Sequence, residues 1–391
     1  MSRYYSYLNS ATEILSLYKG GEPFASFSKK YFAQHKKYGS KDRKQISHLC
    51  YSFFRLGKAF PEMPVSEKII TSIFLCAAAP DELLAVMKPE WNEKIALPVK
   101  EKFSVLHKTA SLTAVFPWAE EISADVAYES FCVSFLVQPD LFLRARPGKK
   151  TIVAHQLTEA GIPFEWVTDS CLALPAATKV NTVLHINKDV VIQDHSSQQV
   201  GLFMADVRPG RSDPGRLEVW DCCAGSGGKS IMAFDVLGDI KLTVSDIRES
   251  ILINLAKRFE EAGISNYKIA AADLTKKINL PPSLFDLVIA DVPCTGSGTW
   301  SRTPEQLYFF DYTEVTEYAA MQKKIVSNAM AQLKPGGYFL YITCSVFKKE
   351  NEEVVEFLKQ KFHLQVLKME LIKGYDKKAD ILFAALLQQP L

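Results

Sequence analysis

The sequence predicts an α/β protein in which a largely parallel sheet follows a helical N-terminal region. From about residue 216, apolar strand-like segments alternate with helix-like segments, a pattern typical of a parallel sheet covered on both faces. Residues 1–125 instead repeat apolar side chains at helical spacing. Residues 126–215 are mixed, with Pro and Gly loop signals around a short strand. We therefore expect three regions, at 1–125, 126–215 and 216–391.

The elements of the C-terminal region follow from this alternation. Seven strands are predicted, at 217–220, 242–245, 269–272, 287–290, 338–342, 364–367 and 381–386. Helices are predicted at 250–262, 313–333 and 350–362, and the mixed region contributes a strand at 190–192. In the N-terminal region the helical spacing is clearest in Ala11, Ile14, Leu15 and Leu17, and in Ile46, Leu49, Cys50, Phe53 and Phe54.

Length and composition limit the possible classes of protein. A chain of 391 residues exceeds one ordinary core, and 48% hydrophobic with 23% charged residues indicates a globular protein. No apolar run is long enough to span a bilayer, and the first residues do not resemble a secretory signal. The eight cysteines form no C-x-x-C pair. We therefore expect reduced thiols, no metal and a cytoplasmic location.

Two cysteines lie directly after predicted strands. Cys294 stands in Asp291-Val-Pro-Cys-Thr-Gly-Ser-Gly-Thr299, and Cys344 stands in Tyr341-Ile-Thr-Cys-Ser345. Because chemistry collects at the carboxyl ends of parallel strands, both thiols are expected in one cleft. A thiolate is a strong nucleophile, so one thiol can form a covalent bond while the other helps to break it. A disulfide or two buried small residues are the alternatives.

The first strand-to-helix turn of this region, residues 221–229, predicts a ligand site. Small residues let a ligand approach the backbone, and the next helix offers free N–H groups. Cys223 and Ser230 stand where phosphate-loop and dinucleotide motifs require glycine, which favours a ligand without a pyrophosphate.

Acidic residues end the next two strands. Asp246 is placed to bind ribose hydroxyls and Asp273 an adenine amino group, although both could be helix caps. The set predicts S-adenosylmethionine. Its expected contacts are Cys223, Ala224, Gly225, Ser226, Gly227, Gly228, Lys229, Asp246, Asp273 and Asp291.

Basic residues concentrate near the N-terminus. Residues 1–60 carry eleven Lys/Arg against three acids. Seven of them, interleaved with Tyr31, Phe32 and Tyr38, predict contact with an RNA backbone: Lys29, Lys30, Lys36, Lys37, Lys41, Arg43 and Lys44. The alternative is a solvated helix face.

Several of these segments together resemble the RsmB/Sun-type RNA cytosine-C5 methyltransferases. The resemblance rests on 221–229, Asp246, Asp273, Asp291–Cys294, Lys334-Pro-Gly-Gly337, Thr343-Cys-Ser345 and Asn351-Glu352, with weaker matches upstream at 116–118, 143–144 and 193–198. Residues 40–55 resemble the NusB-like domain of the RsmB branch. The resemblance implies a Rossmann-like methyltransferase domain with a seven-stranded sheet, preceded by an all-α NusB-like RNA-binding domain.

The resemblance also implies residue roles. Cys344 would add to C6 of cytosine, Cys294 would assist breakdown of the adduct, and Asp291 would hydrogen-bond the base at N3 and N4. Lys229 would either lower a thiol pKa or hold a phosphate. The chain departs from the family pattern at Gly225-Ser226, Val292, Thr295, Ile251 and 380–383.

The implied activity is methylation of small-subunit ribosomal RNA by a monomeric protein. Four alternatives stay open: a tRNA cytosine-C5 methyltransferase, a DNA cytosine methyltransferase, an amino-methylating enzyme, and a non-catalytic RNA-binding or ribosome-assembly protein. DNA cytosine enzymes use a single Pro-Cys thiol, and amino-methylating enzymes place Asp/Asn-Pro-Pro-Tyr where this chain has Asp291–Cys294. The presence of both cysteines argues against the non-catalytic alternative.

Overall fold

The structure is a computed structural model, which describes residues 3–106, 111–207, 216–276 and 284–391. In it the chain forms two compact units. The first comprises Met1–Glu120, Val126–Gln138 and Thr299–Asp311, and the second comprises Glu121–Asp125, Pro139–Gly298 and Tyr312–Leu391. The predicted limits at residues 125 and 215 remain predictions, because compactness alone does not show which segments fold independently.

The first unit is helical. Its apolar core includes the predicted face of the third helix, where Ile46, Leu49 and Phe53 are buried. The N-terminal helical region is thus confirmed, while the NusB-like assignment stays a prediction. The helices are Arg3–Leu17 (α1), Phe24–Gln34 (α2), Ser40–Arg55 (α3), Val65–Cys76 (α4), Glu82–Met87 (α5), Pro89–Asn92 (α6), Val99–Leu106 (α7) and Tyr128–Phe135 (α8).

A late segment of the chain completes this helical unit. The helix Pro304–Phe309 packs with α1–α8, and its buried Glu305 accepts a hydrogen bond from the Phe24 N–H at 3.1 Å. Arg55, also buried, donates to the Ser301 carbonyl at 3.0 Å. These bonds satisfy polar groups that burial would otherwise leave costly.

The second unit begins with a small antiparallel sheet. Its strands are Leu141–Ala145 (β1), Glu165–Trp166 (β2), Cys171–Leu174 (β3) and Val190–Ile192 (β4), in the order β2-β3-β1-β4. The helices Lys150–Glu159 (α9) and His195–Ala205 (α10) accompany it. Only β4 corresponds to a strand predicted from the sequence.

A seven-stranded sheet forms the rest of the second unit. The order is β10-β11-β9-β8-β5-β6-β7, in which only β10 and β11 are antiparallel to their neighbours. The predicted Rossmann-like, mostly parallel sheet is therefore confirmed. The strands are Leu217–Asp221 (β5), Ile240–Asp246 (β6), Tyr267–Ala271 (β7), Phe285–Asp291 (β8), Leu333–Thr343 (β9), Gln365–Ile372 (β10) and Leu382–Gln388 (β11). The helices of this unit are Gly228–Leu237 (α11), Glu249–Ala262 (α12), Thr313–Met330 (α14) and Glu352–Phe362 (α15), and the Pro304–Phe309 helix of the first unit is α13 in chain order.

Strand register brings the predicted site residues to one edge of this sheet. Asp221 pairs with Ile289, and Asp291 pairs with Ile342. The turns that follow β5, β8 and β9 therefore leave the sheet side by side, at the edge where ligands bind in open α/β sheets. Among the described helices, none is both long and apolar enough to cross a membrane.

A buried ion-pair cluster joins the small sheet to α11. Asp235 accepts from Arg144 Nη1 at 2.7 Å and from Arg146 Nη2 at 2.8 Å, and its side chain is 4% exposed. Removing one partner of a buried pair is costly because the remaining charge stays buried without compensation.

We expect Asp235→Ala to lower the free energy of unfolding by about 3–5 kcal/mol, because two guanidinium groups lose their counter-charge. Urea unfolding of the variant checks this value. Asp169→Ala, which removes a solvent-exposed partner of Lys150, is the matched control and should change stability little. Equal effects of the two substitutions would contradict the structural role of the buried cluster.

Candidate active site

The two predicted cysteines meet at the end of β8 and β9. Their Sγ atoms lie 3.2 Å apart, which is contact without the covalent distance of about 2.05 Å. All eight cysteines lie in described parts of the chain and are free thiols. A hydrogen bond with Cys344, followed by burial, raises the pKa of Cys294 well above its ordinary value. Either sulfur atom can be the donor in this hydrogen bond.

A buried glutamate that the sequence analysis missed connects the two cysteine turns. Glu350 accepts from the Thr295 backbone at 2.9 Å, from the Thr295 hydroxyl at 2.6 Å and from Ser345. Thr295 follows Cys294 and Ser345 follows Cys344. The sequence offered little signal, since Glu350 lies in the charged run from Lys348 to Glu353.

The chain passes very close to Cys344 at Gly298. The Gly298 N–H donates to the Cys344 carbonyl at 2.8 Å. A Cβ at this position would lie 2.2 Å from the Ile381 carbonyl oxygen, which no side chain tolerates without a backbone shift. Glycine at 298 thus lets the Cys294 turn pack against the Cys344 turn.

The glycine turn after β5 lies beside Asp246, as the sequence predicted. Gly225 and Gly227 have φ of +52° and +84°, a conformation that favours glycine. The Gly225 N–H donates to Asp246 Oδ2 at 3.0 Å. A Cβ at Gly225 or Gly228 would meet nothing within 4 Å, so there is open space over this part of the turn.

Asp246 carries further hydrogen bonds that were not expected. Arg248 donates to it from the backbone at 2.9 Å and from Nε at 3.1 Å. Burial tends to raise the pKa of Asp246, but the bonds from Arg248 and Gly225 outweigh it and hold the pKa below the usual value. A ribose would compete with the Arg248 side chain, which is 61% exposed and free to move into solvent.

Asp273 follows β7, one residue after Ala272, whose N–H donates to the Asp246 carbonyl at 3.1 Å. The Asp273 carboxylate accepts from the Thr275 hydroxyl at 2.6 Å and pairs with Lys276 at 3.0 Å. Hydrogen bonds from Thr275 and Lys276 hold the pKa of Asp273 below its usual value. Asp273 thus caps a local turn, and contact with an adenine stays a prediction.

Lys229 belongs to a polar contact at the start of α11. Its Nζ donates to the Ser197 hydroxyl at 2.8 Å and pairs with Asp291 at 3.1 Å. Asp291 ends β8, three residues before Cys294, and its side chain is partly exposed. The pair therefore presents a carboxylate, already oriented by a buried ammonium, at the end of the strand that leads to Cys294.

Asp221, at the end of β5, is fully buried under this cluster. Ser230 donates to its Oδ2 at 2.6 Å, while Oδ1 has no hydrogen-bond partner among the described residues. Burial raises the pKa of Asp221 to about 7, with the charge of Asp291 adding to the shift and the Ser230 bond opposing it.

This shift predicts a pH dependence of stability. Between pH 4 and pH 7 the folded state holds a proton on Asp221 that the unfolded chain lacks, so stability falls as pH rises through this window. Asp221 should contribute a loss of about 2 kcal/mol between pH 5 and pH 7. Urea unfolding at both pH values checks this, and Asp221→Asn should remove that part of the decline. An equal decline in both proteins would exclude Asp221 as its source.

The seven predicted RNA-contacting residues lie in α2, α3 and their connection, and all are exposed. Lys30 pairs with Glu22 at 2.7 Å, and Arg43 donates to the Tyr38 carbonyl at 2.9 Å. The interleaved Tyr31, Phe32 and Tyr38 are buried and pack on one another, so they are not a stacking surface for bases. Any contact with RNA here therefore depends on the cations.

Within the described ranges, no three His, Cys, Asp or Glu side chains are grouped so that they could hold a metal ion.

The region that contains the candidate site is similar to known methyltransferases. Residues 213–383 match the family described as 16S rRNA methyltransferase RsmB/F. The ribosomal RNA small subunit methyltransferase B of Xanthomonas campestris is 29% identical over 229 residues, which cover 56% of this chain and 49% of that protein. This chain spans about half the length of the curated relatives it matches.

Solved structures share the fold. PH0851 has a TM-score of 0.69 at 18% identity, over 97% of both chains. NSun6 from Pyrococcus horikoshii, crystallised with SFG, has a TM-score of 0.54 at 13% identity, over 64% of this chain and 91% of its own. At such identities the likeness concerns the fold alone.

Proposed function

We propose that this protein methylates C5 of a cytosine in RNA, with S-adenosylmethionine as methyl donor, because residues 213–383 match the family described as 16S rRNA methyltransferase RsmB/F. The observation that carries the proposal is the pair of Sγ atoms 3.2 Å apart at the ends of β8 and β9. A single thiol would serve a one-cysteine mechanism. Two adjacent thiols fit a mechanism that forms a covalent adduct and then breaks it.

The turn after β5 fits the proposed methyl donor. It combines positive-φ glycines, open space over Gly225 and Gly228, and the carboxylate of Asp246 at its side. We assign the donor to residues 223–229, with Asp246 on the ribose and Asp273 and Asp291 as further contacts. SFG, which accompanies the NSun6 structure, is an analogue of S-adenosylmethionine and supports this choice.

Each residue of the thiol cluster has a proposed role. The thiolate of Cys344 bonds to C6 of cytosine, which turns C5 into an electron-rich, enamine-like carbon. When bound, S-adenosylmethionine supplies a methyl group made electrophilic by its sulfonium. Asp291, oriented by Lys229, hydrogen-bonds the base at N3 and N4. The C5 proton then passes to solvent as the C6–sulfur bond breaks, and the Cys294 S–H assists by donating to the departing sulfur.

The proposed substrate is small-subunit ribosomal RNA, which is the RNA named for the RsmB/F relatives. The target base must leave any stack to reach thiols at the sheet edge. The basic residues of α2 and α3 would hold the RNA backbone. A catalytic thiolate also requires reducing conditions, so we place the protein in the cytoplasm.

Variants of the two cysteines test the mechanism. Cys294→Ser should form the Cys344–C6 bond but release it slowly, so a protein–RNA species should accumulate as a shifted band in denaturing gels. Cys344→Ala should abolish methyl transfer from labelled S-adenosylmethionine. The double variant should give no band, because no thiol remains to add to C6.

Separate RNA substrates make the same assay decide between the alternatives. Small-subunit ribosomal RNA should be methylated, whereas methylation of tRNA or DNA alone would replace the proposed substrate. A band that survives in the double variant, or full turnover by Cys344→Ala, would overturn the assignment of roles. Calorimetry with S-adenosylmethionine should show that Cys344→Ala still binds it.

Neutralising the basic cluster should weaken RNA binding and reduce its salt dependence. Replacing Lys36, Lys37, Lys41 and Lys44 by Gln should reduce the slope of log K against log[salt] by about 3, since each lost phosphate contact removes roughly 0.7–0.9. Filter binding over a range of salt measures the slope. The matched control replaces four exposed lysines elsewhere, Lys94, Lys241, Lys359 and Lys361. An unaltered slope in the first variant would show that the basic cluster is a solvated surface that does not contact RNA.

A further inference from the structure

Glu350 is a buried carboxylate whose two oxygens both receive hydrogen bonds. Oε1 accepts from the Thr295 N–H at 2.9 Å and from Gln322 Nε2 at 3.0 Å. Oε2 accepts from the Thr295 hydroxyl at 2.6 Å and from the Ser345 hydroxyl. The backbone N–H and the amide can only donate, which suits an ionised carboxylate.

The same group of side chains supports both cysteines from either side. Gln322 also donates to the Pro293 carbonyl at 3.0 Å, so the residues before and after Cys294 are both tied to the Gln322–Glu350 pair. On the other turn, Thr343 donates to Asn351 at 2.5 Å, next to Glu350 in the chain. The separation of the two sulfur atoms thus depends on one buried polar network.

We propose that Glu350 is a positioning residue that holds the two cysteine turns together and disfavours ionisation of Cys294. The inference rests on the proposed function only in giving the Cys294 S–H a part in release of the adduct. It assigns Glu350 this role without any contact between Glu350 and substrate.

Electrostatics supports this role. Besides the hydrogen bond with Cys344 and burial, the charge of Glu350 contributes to raising the pKa of Cys294. The other titratable groups facing this cluster are Tyr318 and Tyr341, and burial raises the pKa of both, so they stay neutral. Burial also raises the pKa of Glu350, against the bonds from Ser345, Thr295 and Gln322. Those bonds favour the charged form that disfavours a second negative charge on Cys294.

Thiol alkylation measures this effect without RNA or methyl donor. We would treat the full-length protein with iodoacetamide over a range of pH and quantify labelled Cys294 and Cys344 separately by peptide mass spectrometry. Glu350→Gln should move the Cys294 profile to lower pH. For each pH unit of that movement, labelling at neutral pH should rise about threefold, because a tenfold gain in thiolate is partly offset by lower intrinsic reactivity.

Two further variants separate the effect of the Glu350 charge from the effect of a more open Cys294 turn. Glu350→Asp keeps the charge and should leave the pH midpoint of Cys294 close to that of the wild type. Glu352→Gln makes the same change in the next glutamate, which is bonded to Ser123 instead of the cysteine turns, and should leave the profile unchanged. If a substitution only made the Cys294 turn more open to solvent, labelling of Cys294 would rise at every pH and the pH midpoint of labelling would stay the same.

The result that overturns the proposal is an unchanged Cys294 midpoint in folded Glu350→Gln, as judged by near-ultraviolet circular dichroism. If that variant fails to fold, Glu350→Asp decides, since a Cys294 midpoint that moves to lower pH although the charge is kept contradicts the proposed effect of that charge. Methylation assays report separately. If the wild type does not methylate RNA but Glu350→Gln shifts the alkylation profile of Cys294 as expected, the proposed function is wrong and the role of Glu350 stands. If the wild type methylates RNA but the Cys294 profile does not shift in Glu350→Gln, the proposed function stands and the role of Glu350 is wrong.

Discussion

The parallel pairing of β8 and β9 is the constraint on which the candidate site depends. With Asp291 opposite Ile342, both strands end at the same level, and the turns that follow must leave the sheet in the same direction. The two cysteines lie three residues after Asp291 and two residues after Ile342, so the register alone brings them close. What the register leaves open is the separation and protonation of the sulfurs, and there the buried carboxylate of Glu350 acts.

The sequence predicted the large sheet well because its strands are buried and apolar, and because helices separate them. Most of the small sheet was missed for the opposite reason. β2 has two residues and β3 has four, too few to show a period, and β1 directly follows the loop signal Gln138-Pro139-Asp140. Such strands are formed by their partners: β1 is held between β3 and β4, and no local pattern encodes that pairing.

Within the site, residues at strand ends were predictable and residues that act through tertiary contacts were not. The cysteines, Asp246 and Asp291 each follow an apolar run. Glu350 lies in a stretch of charged residues typical of a solvated helix start, and its burial is visible only once α14 and both cysteine turns surround it. The aromatic residues among the N-terminal cations led to the opposite error. The sequence pattern suggested that they belong to an RNA-contacting surface, but their rings lie in the core of the helical unit.

The helical unit has one property with consequences for how the protein is made. Lys58 donates to the carbonyls of Tyr308 and Phe310 at 2.8 Å each, and Phe24 and Arg55 likewise find partners in the 299–311 segment. When the ribosome has synthesised α1–α8, about 160 residues are still missing before those partners emerge. The first helices to leave the exit tunnel therefore lack these partners until a part of the chain encoded much later has been synthesised. A nascent chain of this protein would present an incomplete helical unit to chaperones for most of its synthesis.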